Sequence, residues 1–509
     1  MRAPPEFRYL VGAAAMKISS QARVASPDHV RFRTSVGRAL RTCTALAAAS
    51  GLSACVTFSP DGGMSAVAEL ASAELKKETL AIRSEEDAVS ARARVERLLR
   101  RTLTPDAAVQ IALLNNRGLQ AAYNELAIAE ATMVGSSLPP NPTFSLSHIS
   151  GDGAFEIERQ IAADILALAT LPVRSEIAGQ RFRQAQLRAA EETLRVAAEV
   201  RRAYYRAVSA RELVGLLTQA KSTAETTAQL AAKLGETGSL NKLDQAREQV
   251  FYAETTADLA TLRQEAASAR ERLIRLLGLW GQDLSLRLPD GLPALPPRPM
   301  TLPAIEADAI GRRVDLQIAR IELDALAKSY DLTRATRFIN LLEVGGISRR
   351  TREPGGEPFQ QRGLSVQLQV PIFDFGTVRL REAEQTYMQA VNRLVDRAII
   401  VRSEAREVYR NYRSAYDVAG HYQREILPLR KIISDEMQLR FSGMQIDVFA
   451  LLTEARQRLA AMRAGIEAKG KFWLAQADLL AVVVGGGLAA DGGSEPTPAP
   501  RARSGAAAN

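Results

Sequence analysis

Polar and apolar positions change period several times along this chain, and the changes come twice in the same order. From Thr104 to about Ser136 the pattern is helical: Thr104 can cap the first turn, Pro105 suits it, and Leu138-Pro139-Pro140-Asn141-Pro142 ends it. Phe144, Leu146 and His148 then alternate with Ser145 and Ser147. Gly151-Asp152-Gly153 is a hairpin signal, and Phe155, Ile157 and Ile161 alternate with Glu156, Glu158 and Gln160. Two strands are predicted, at about 143–150 and 154–166. From Val173 a helix of about 60 residues follows, with Phe182, Ala189, Val196, Ala203, Ala210, Leu217, Ala224 and Ala231 at seven-residue spacing. Small residues in such a seam allow close helix approach. Gly235 and Gly238 break this helix, and a second one, from about Leu240 to Leu277, returns antiparallel to it.

After a Pro-rich linker at 288–303 the order repeats. A helix is predicted from about Leu302 to Thr336 and a strand from about Ile339 to Arg350. The loop Glu353-Pro354-Gly355-Gly356-Glu357-Pro358 precedes a strand in which Leu364, Val366, Leu368 and Val370 alternate with Ser365, Gln367 and Gln369. A long helix with the seam Leu380, Tyr387, Leu394, Val401 and Val408 then runs to Gly443, and Asp447 to Leu480 returns. Identities recur as well: Glu199, Arg201, Tyr204, Ser209 and Ala210 reappear 205 positions later as Glu404, Arg406, Tyr409, Ser414 and Ala415. The chain is therefore two copies of one long-helical unit, an organisation that builds walls and tubes rather than catalytic pockets.

The N-terminus reads as an export signal. Arg31, Arg33, Arg38 and Arg41 form a basic region, Ala45 to Leu52 is apolar, and Leu52-Ser53-Ala54-Cys55 resembles a lipobox, which makes Cys55 the expected lipidation site. The leader is long, so residues 1–35 are expected to be a misassigned upstream extension, with Val36 as the start. Between Ala66 and Arg101 the chain reads as a helical, solvated amphipathic arm. Six of the nine net positive charges belong to residues 1–54, so the basic balance is no argument for nucleic-acid binding. Beyond the leader only Cys55, His148 and His421 remain as thiol or imidazole groups, which argues against internal disulfides and metal sites. No stretch of 18 apolar residues exists. A membrane crossing would have to use strands. Two strands per copy cannot close a barrel in lipid, where about eight is the minimum and open edges are not tolerated. Three chains would supply twelve strands, which is the physical argument for a homotrimer.

These elements, in this order, resemble the TolC-like outer-membrane efflux proteins. The residues that carry the likeness are Asn115-Asn116-Arg117, Arg312-Arg313-Val314-Asp315-Leu316, the strand exit Val370-Pro371-Ile372-Phe373-Asp374-Phe375-Gly376, and the turns Gly238-Ser239-Leu240 and Gly443-Met444-Gln445-Ile446-Asp447-Val448. The resemblance implies a mainly α fold with a small β part: a trimeric 12-stranded β-barrel in the outer membrane, continued by a coiled-coil α-barrel through the periplasm. It implies a passive duct of a tripartite exporter, lipid-anchored, docked to a periplasmic adaptor and an inner-membrane pump. The alternative is a periplasmic coiled-coil adaptor lipoprotein; against it stand two hairpins and matched strand pairs. The chain divides accordingly into an export signal (1–54), a lipidated arm (55–103), a first repeat (104–287), the linker (288–303), a second repeat (304–485) and a tail expected to be disordered (486–509).

Without a nucleophile–base set, phosphate loop or metal cluster, no enzyme activity and no cofactor are expected. The candidate periplasmic aperture lies at the hairpin turns Gly238 and Gly443, with Asn241, Asp244, Arg440, Gln445 and Asp447 near the tip. Carboxylates repeated around an axis favour cations. The competing reading makes each a solvated charge on a coiled-coil face. The interval from Gly443 to Asp447 is short and lacks Arg, which argues against an Arg–Asp latch. Tyr204 and Tyr409 are expected to pack between helices with wet hydroxyls, Phe373 and Phe375 to anchor the membrane boundary, and Met437, Met444 and Met462 to fill gaps in the core.

Overall fold

The computed structural model describes residues 57–284 and 286–485. The export signal, Cys55 and the 486–509 tail lie outside the described residues.

The N-terminal arm is two helices, α1 (Met64–Leu75) and α2 (Glu85–Leu99). Lys76 breaks the first in a left-handed conformation (φ 53°), and Ser84 starts the second with a reciprocal Ser84–Asp87 capping box. This corrects the reading of a solvated arm: Val67, Ala71, Leu75 and Val95 are buried, and Met64, Val67, Leu75 and Val95 join the main core cluster. Ser59 donates through both its amide (2.6 Å) and its hydroxyl (2.5 Å) to the buried Glu130 carboxylate.

Where one helix is expected after Thr104 there are two, α3 (Pro105–Asn115) and α4 (Arg117–Ser137). Thr104 caps α3 as predicted. Asn116, in extended conformation, caps α4 at the break. The copy-two helix is likewise split, into α8 (Ile305–Arg312) and α9 (Val314–Ala335), at extended Arg313.

The strands are β1 (Thr143–Gly151), β2 (Ala154–Asp164), β3 (Leu341–Arg352) and β4 (Phe359–Gln369), forming one antiparallel sheet in the order β1-β2-β3-β4. β2 stops at Asp164 because that carboxylate caps the short helix α5 (Ile165–Ala169), accepting from Ala167 at 2.8 Å. The pairing of β2 with β3 joins the two copies.

The long helix α6 (Leu171–Glu236) has 66 residues, about 99 Å at ~1.5 Å per residue. Ala189, Val196, Ala203, Leu217, Ala224 and Ala231 of its predicted seam are buried. It turns into α7 (Lys242–Leu277). The second hairpin is built from α10 (Thr377–His421), a π-helical turn (Tyr422–Ile426), α11 (Leu427–Ser442) and α12 (Val448–Val484). Pro428 lacks an N–H and cannot complete an α-helical ladder, and the wider turn lies immediately before it.

Aromatic side chains knit the hairpins together. Tyr205 of α6 stacks on Trp473 of α12 at 5.2 Å, and neighbouring Phe472 meets Tyr412 and Tyr416 of α10 at 5.6 Å each. The linker is strapped to the same place. Trp473 donates to the Pro293 carbonyl (3.1 Å), Tyr416 to that of Pro296 (3.0 Å), and the Met300 amide donates to the Tyr412 hydroxyl (3.0 Å). Tyr204 is only 2% exposed and donates to the Leu103 carbonyl, so its hydroxyl is dry rather than wet. Tyr409 is half-buried.

Candidate functional site: sheet faces, hairpin tips and the joint between copies

Register and pleat divide the sheet into two faces of different chemistry. One carries Ser145 and Ser147 on β1, Glu156, Glu158 and Gln160 on β2, Glu343 and Arg349 on β3, and Gln361, Ser365 and Gln367 on β4. Arg349 on this face binds Glu156 at 2.9 Å and Glu158 at 2.6 Å, and Gln160 donates to Ser365 at 3.1 Å. The other face carries Phe144, Leu146, Ile161, Leu364, Val366 and Leu368, all more than half exposed. An apolar patch of this extent facing outward marks a surface made for lipid or protein rather than for water. Phe373, 99% exposed, and Phe375 continue it at the end nearest the helices. Among the described residues no helix is long and apolar enough to cross a membrane.

The hairpin tips lie side by side. α7 and α12 are bridged by Arg456 to Glu248 (2.8 Å) and by Arg463 to Asp258 (3.1 Å), in parallel register from the turns. At the first turn Ser239 N–H bonds to Leu234 O and Gly238 N–H to Gly235 O, with Gly238 at φ 76°. This is a left-handed helix stop of the Schellman type. The second turn repeats it, from Gln445 to Arg440 and from Met444 to Phe441. Here the left-handed residue is Met444 (φ 58°), while Gly443 sits at φ −83°. The expected turn glycine is therefore displaced by one position, and Met444, 94% exposed, is no core filler.

The remaining tip candidates take up local roles. Asn241 caps α7 by accepting from Asp244 N–H (2.9 Å), and its amide donates to the Asp244 carboxylate (2.6 Å), which also binds Arg247 (2.9 Å). Asp447 caps α12 by accepting from Ala450 N–H at 2.8 Å and remains exposed. Arg440 reaches back to Glu436 at 2.8 Å, and Gln445 is exposed. The structure thus brings Asn241 and Asp244 together, and pairs Arg440 within its own helix.

Two ionic features escaped the sequence reading. Near the tips, Glu248 and Glu454 are buried; Arg456 pairs with the first and lies 4.3 Å from the Phe251 ring, and Arg430 pairs with the second at 3.0 Å. At the joint between copies, a cavity of about 850 Å³ is lined by Arg188, Glu191, Arg195, Arg313, Asp315 and Arg397, among others. Arg313, itself buried, binds Asp315 at 2.7 Å and Glu404 at 2.6 Å. Burial pushes the Glu191 carboxyl up to about 6, with the Asp315 charge adding to the rise. The motif residues flank this joint: Asn115 and Asn116 donate to the carbonyls of Leu276, Leu277 and Gly278 that end α7. Arg313 and Asp315 stood in a quoted motif, but their meeting with Glu191 and Arg397 on two other helices is long-range and leaves no spacing for sequence inspection to catch.

Residues 307–442 match the family model for outer membrane efflux protein. The cobalt-zinc-cadmium resistance protein CzcC of Cupriavidus metallidurans is 25% identical over 284 residues, 53% of this chain. The chain spans 64% of that relative's length. Among solved structures, CusC superposes with a TM-score of 0.62 at 18% identity, covering 77% of this chain and 92% of that one. The open-state outer membrane channel MtrE of Neisseria gonorrhoeae gives 0.61 at 17% identity, over 77% and 89%. At these identities the structural likeness is one of fold: long helical hairpins carrying a small antiparallel sheet. CusC is described as forming a transmembrane channel and MtrE as an outer membrane channel. By the matched segment, the relative and the shared fold, this chain is similar to the TolC-like outer-membrane efflux proteins.

Proposed function

We propose that this protein is the outer-membrane duct of a tripartite efflux system: a homotrimer that passes substrates from an inner-membrane pump and a periplasmic adaptor to the exterior. The observation that carries this is the sheet. In the half nearest the helices it has one apolar and one polar face, the outer edges of β1 and β4 are unpaired among the described residues, and it sits on two coiled-coil hairpins. Unpaired edges cannot face lipid, so closure must come from other copies. Residues 104–287 and 304–485 are taken as the two efflux repeats, and Cys55 as the acylated anchor. An adaptor would need neither an apolar outward sheet face nor a second hairpin.

Native mass spectrometry of protein extracted from envelopes tests the assembly. A trimer carrying an acyl chain that Cys55→Ser removes is expected; a soluble monomer overturns the reading. For the aperture, Asp447→Ala in planar bilayers should change conductance or cation preference if Asp447 lines the constriction, and unchanged values assign it to helix capping alone. The name of CzcC makes sensitivity of a deletion strain to cobalt, zinc and cadmium the first cargo assay.

A further inference from the structure

The apolar face of the sheet changes character along its length. Nearest the helices Leu342 stands opposite Leu368; the next rows hold Ala163, Val344 and Val366, then Phe144, Ile161 and Leu364. The row after is Leu146–Arg159–Ser348–Arg362, then His148–Ile157–Arg350–Gln360, and Arg352 stands opposite Phe155 beyond it. Four arginines thus occupy the half of this face nearest the hairpin turns. All four are exposed.

None of the four has a carboxylate within salt-bridge distance among the described residues. The strand carboxylates Glu156, Glu158, Asp164 and Glu343 all lie on the opposite face, where Arg349 takes up two of them. Within the strands the segregation is complete: acids and their one basic partner on one side, guanidinium groups without an ion-pair partner among the described residues on the other. The apolar rows below, continued by Val370, cover most of the apolar band of a bilayer. Leu364 to Val370 is about 20 Å of strand, and exposed Ile372 and Phe373 extend it toward the ~25 Å band of a transmembrane barrel. The arginines therefore stand where apolar chains give way to headgroups. A planar guanidinium there is matched by phosphate oxygens, which it binds bidentately.

We propose that Arg159, Arg350, Arg352 and Arg362 form a docking surface for phosphate-bearing lipid headgroups of the leaflet around the hairpin end of the barrel. This rests on the membrane-barrel reading above, which turns the hairpin end outward and makes that leaflet the outer one. Each arginine near an anionic surface strengthens binding by roughly fivefold.

The probe is lipid A, a diphosphorylated glycolipid, titrated into the full-length protein in neutral detergent and read by native mass spectrometry. The barrel reading is checked first, by incorporation of wild type into vesicles as an oligomer; failure there removes that reading and the proposal with it. With the barrel intact, replacing all four arginines by Gln should weaken lipid A binding at least tenfold. The four-Lys variant, which keeps the charge but not the bidentate fork, should bind more tightly than the four-Gln variant and more weakly than wild type, and Arg349→Gln, on the opposite face, should bind as wild type. Should the four-Gln protein not assemble, Arg362→Gln alone, expected to weaken binding severalfold, decides the matter. Unchanged binding in the Gln variants, an equal loss in Arg349→Gln, or full competition by millimolar inorganic phosphate would overturn the proposal.

Discussion

Met444 holds at the second tip the backbone conformation that Gly238 holds at the first. A side chain in the left-handed region costs on the order of 1 kcal/mol relative to glycine. Met444→Gly is therefore expected to stabilise by roughly 0.5–1 kcal/mol, read as a rise in melting temperature, whereas Gly443→Ala, at ordinary φ, should move it by less than about 0.5 kcal/mol. The 205-residue repeat offset pointed to Gly443, but Asn241 and Asp447, the paired caps, are 206 apart. A one-residue shift in a turn is invisible to matching by identity. Glu191 gives a pH signature. Its carboxyl faces Asp315, Arg313 and Arg397 as well as its neighbour Glu192, and titrates near 6 in the fold against 4.5. The folded state thus holds its proton more tightly, so stability falls as pH rises through about 4.5–6. Glu191→Gln should remove that decline, worth on the order of 1 kcal/mol at neutral pH given partial exposure; a thermal-melt profile against pH identical to wild type would contradict it.

At the scale of elements, period and punctuation made most boundaries readable, since Thr104, Pro105, Pro139 and Gly238 act locally. The arm was misread because its charge pattern says nothing of the partner that covers Val67 and Ala71. Breaks at Asn116 and Arg313 were missed for a related reason: their cause is tertiary, a side chain bonded to a distant helix end or carboxylate. The aromatic joint predicts that Phe472→Ala, which removes a fully buried ring shared by α10 and α12, costs about 3–5 kcal/mol. The buried pair between α7 and α12 offers a sharper contrast. Arg456→Leu leaves Glu248 unpaired and should cost about 3 kcal/mol, while Glu248→Leu with Arg456→Leu should be close to neutral in the same denaturation assay. Equal losses in both would show that the pair itself, rather than avoidance of an orphan charge, is stabilising.

For the whole molecule, the sequence revealed the duplication and the split of sheet faces, but not how firmly the copies are joined. The linker is held by side chains of α10 and α12, and β2 pairs with β3 along their length from Phe155 to Asp164. A protease site inserted after exposed Arg298 should therefore yield two fragments on a denaturing gel while the native mass stays unchanged; separation of the halves under native conditions would contradict this. The β2–β3 seam has a kinetic consequence. A single unit would bring only one hairpin to the proposed ring, so six separate molecules would have to meet in the membrane. Covalent fusion of the units halves the molecularity of that encounter and settles beforehand half of the junctions between hairpins.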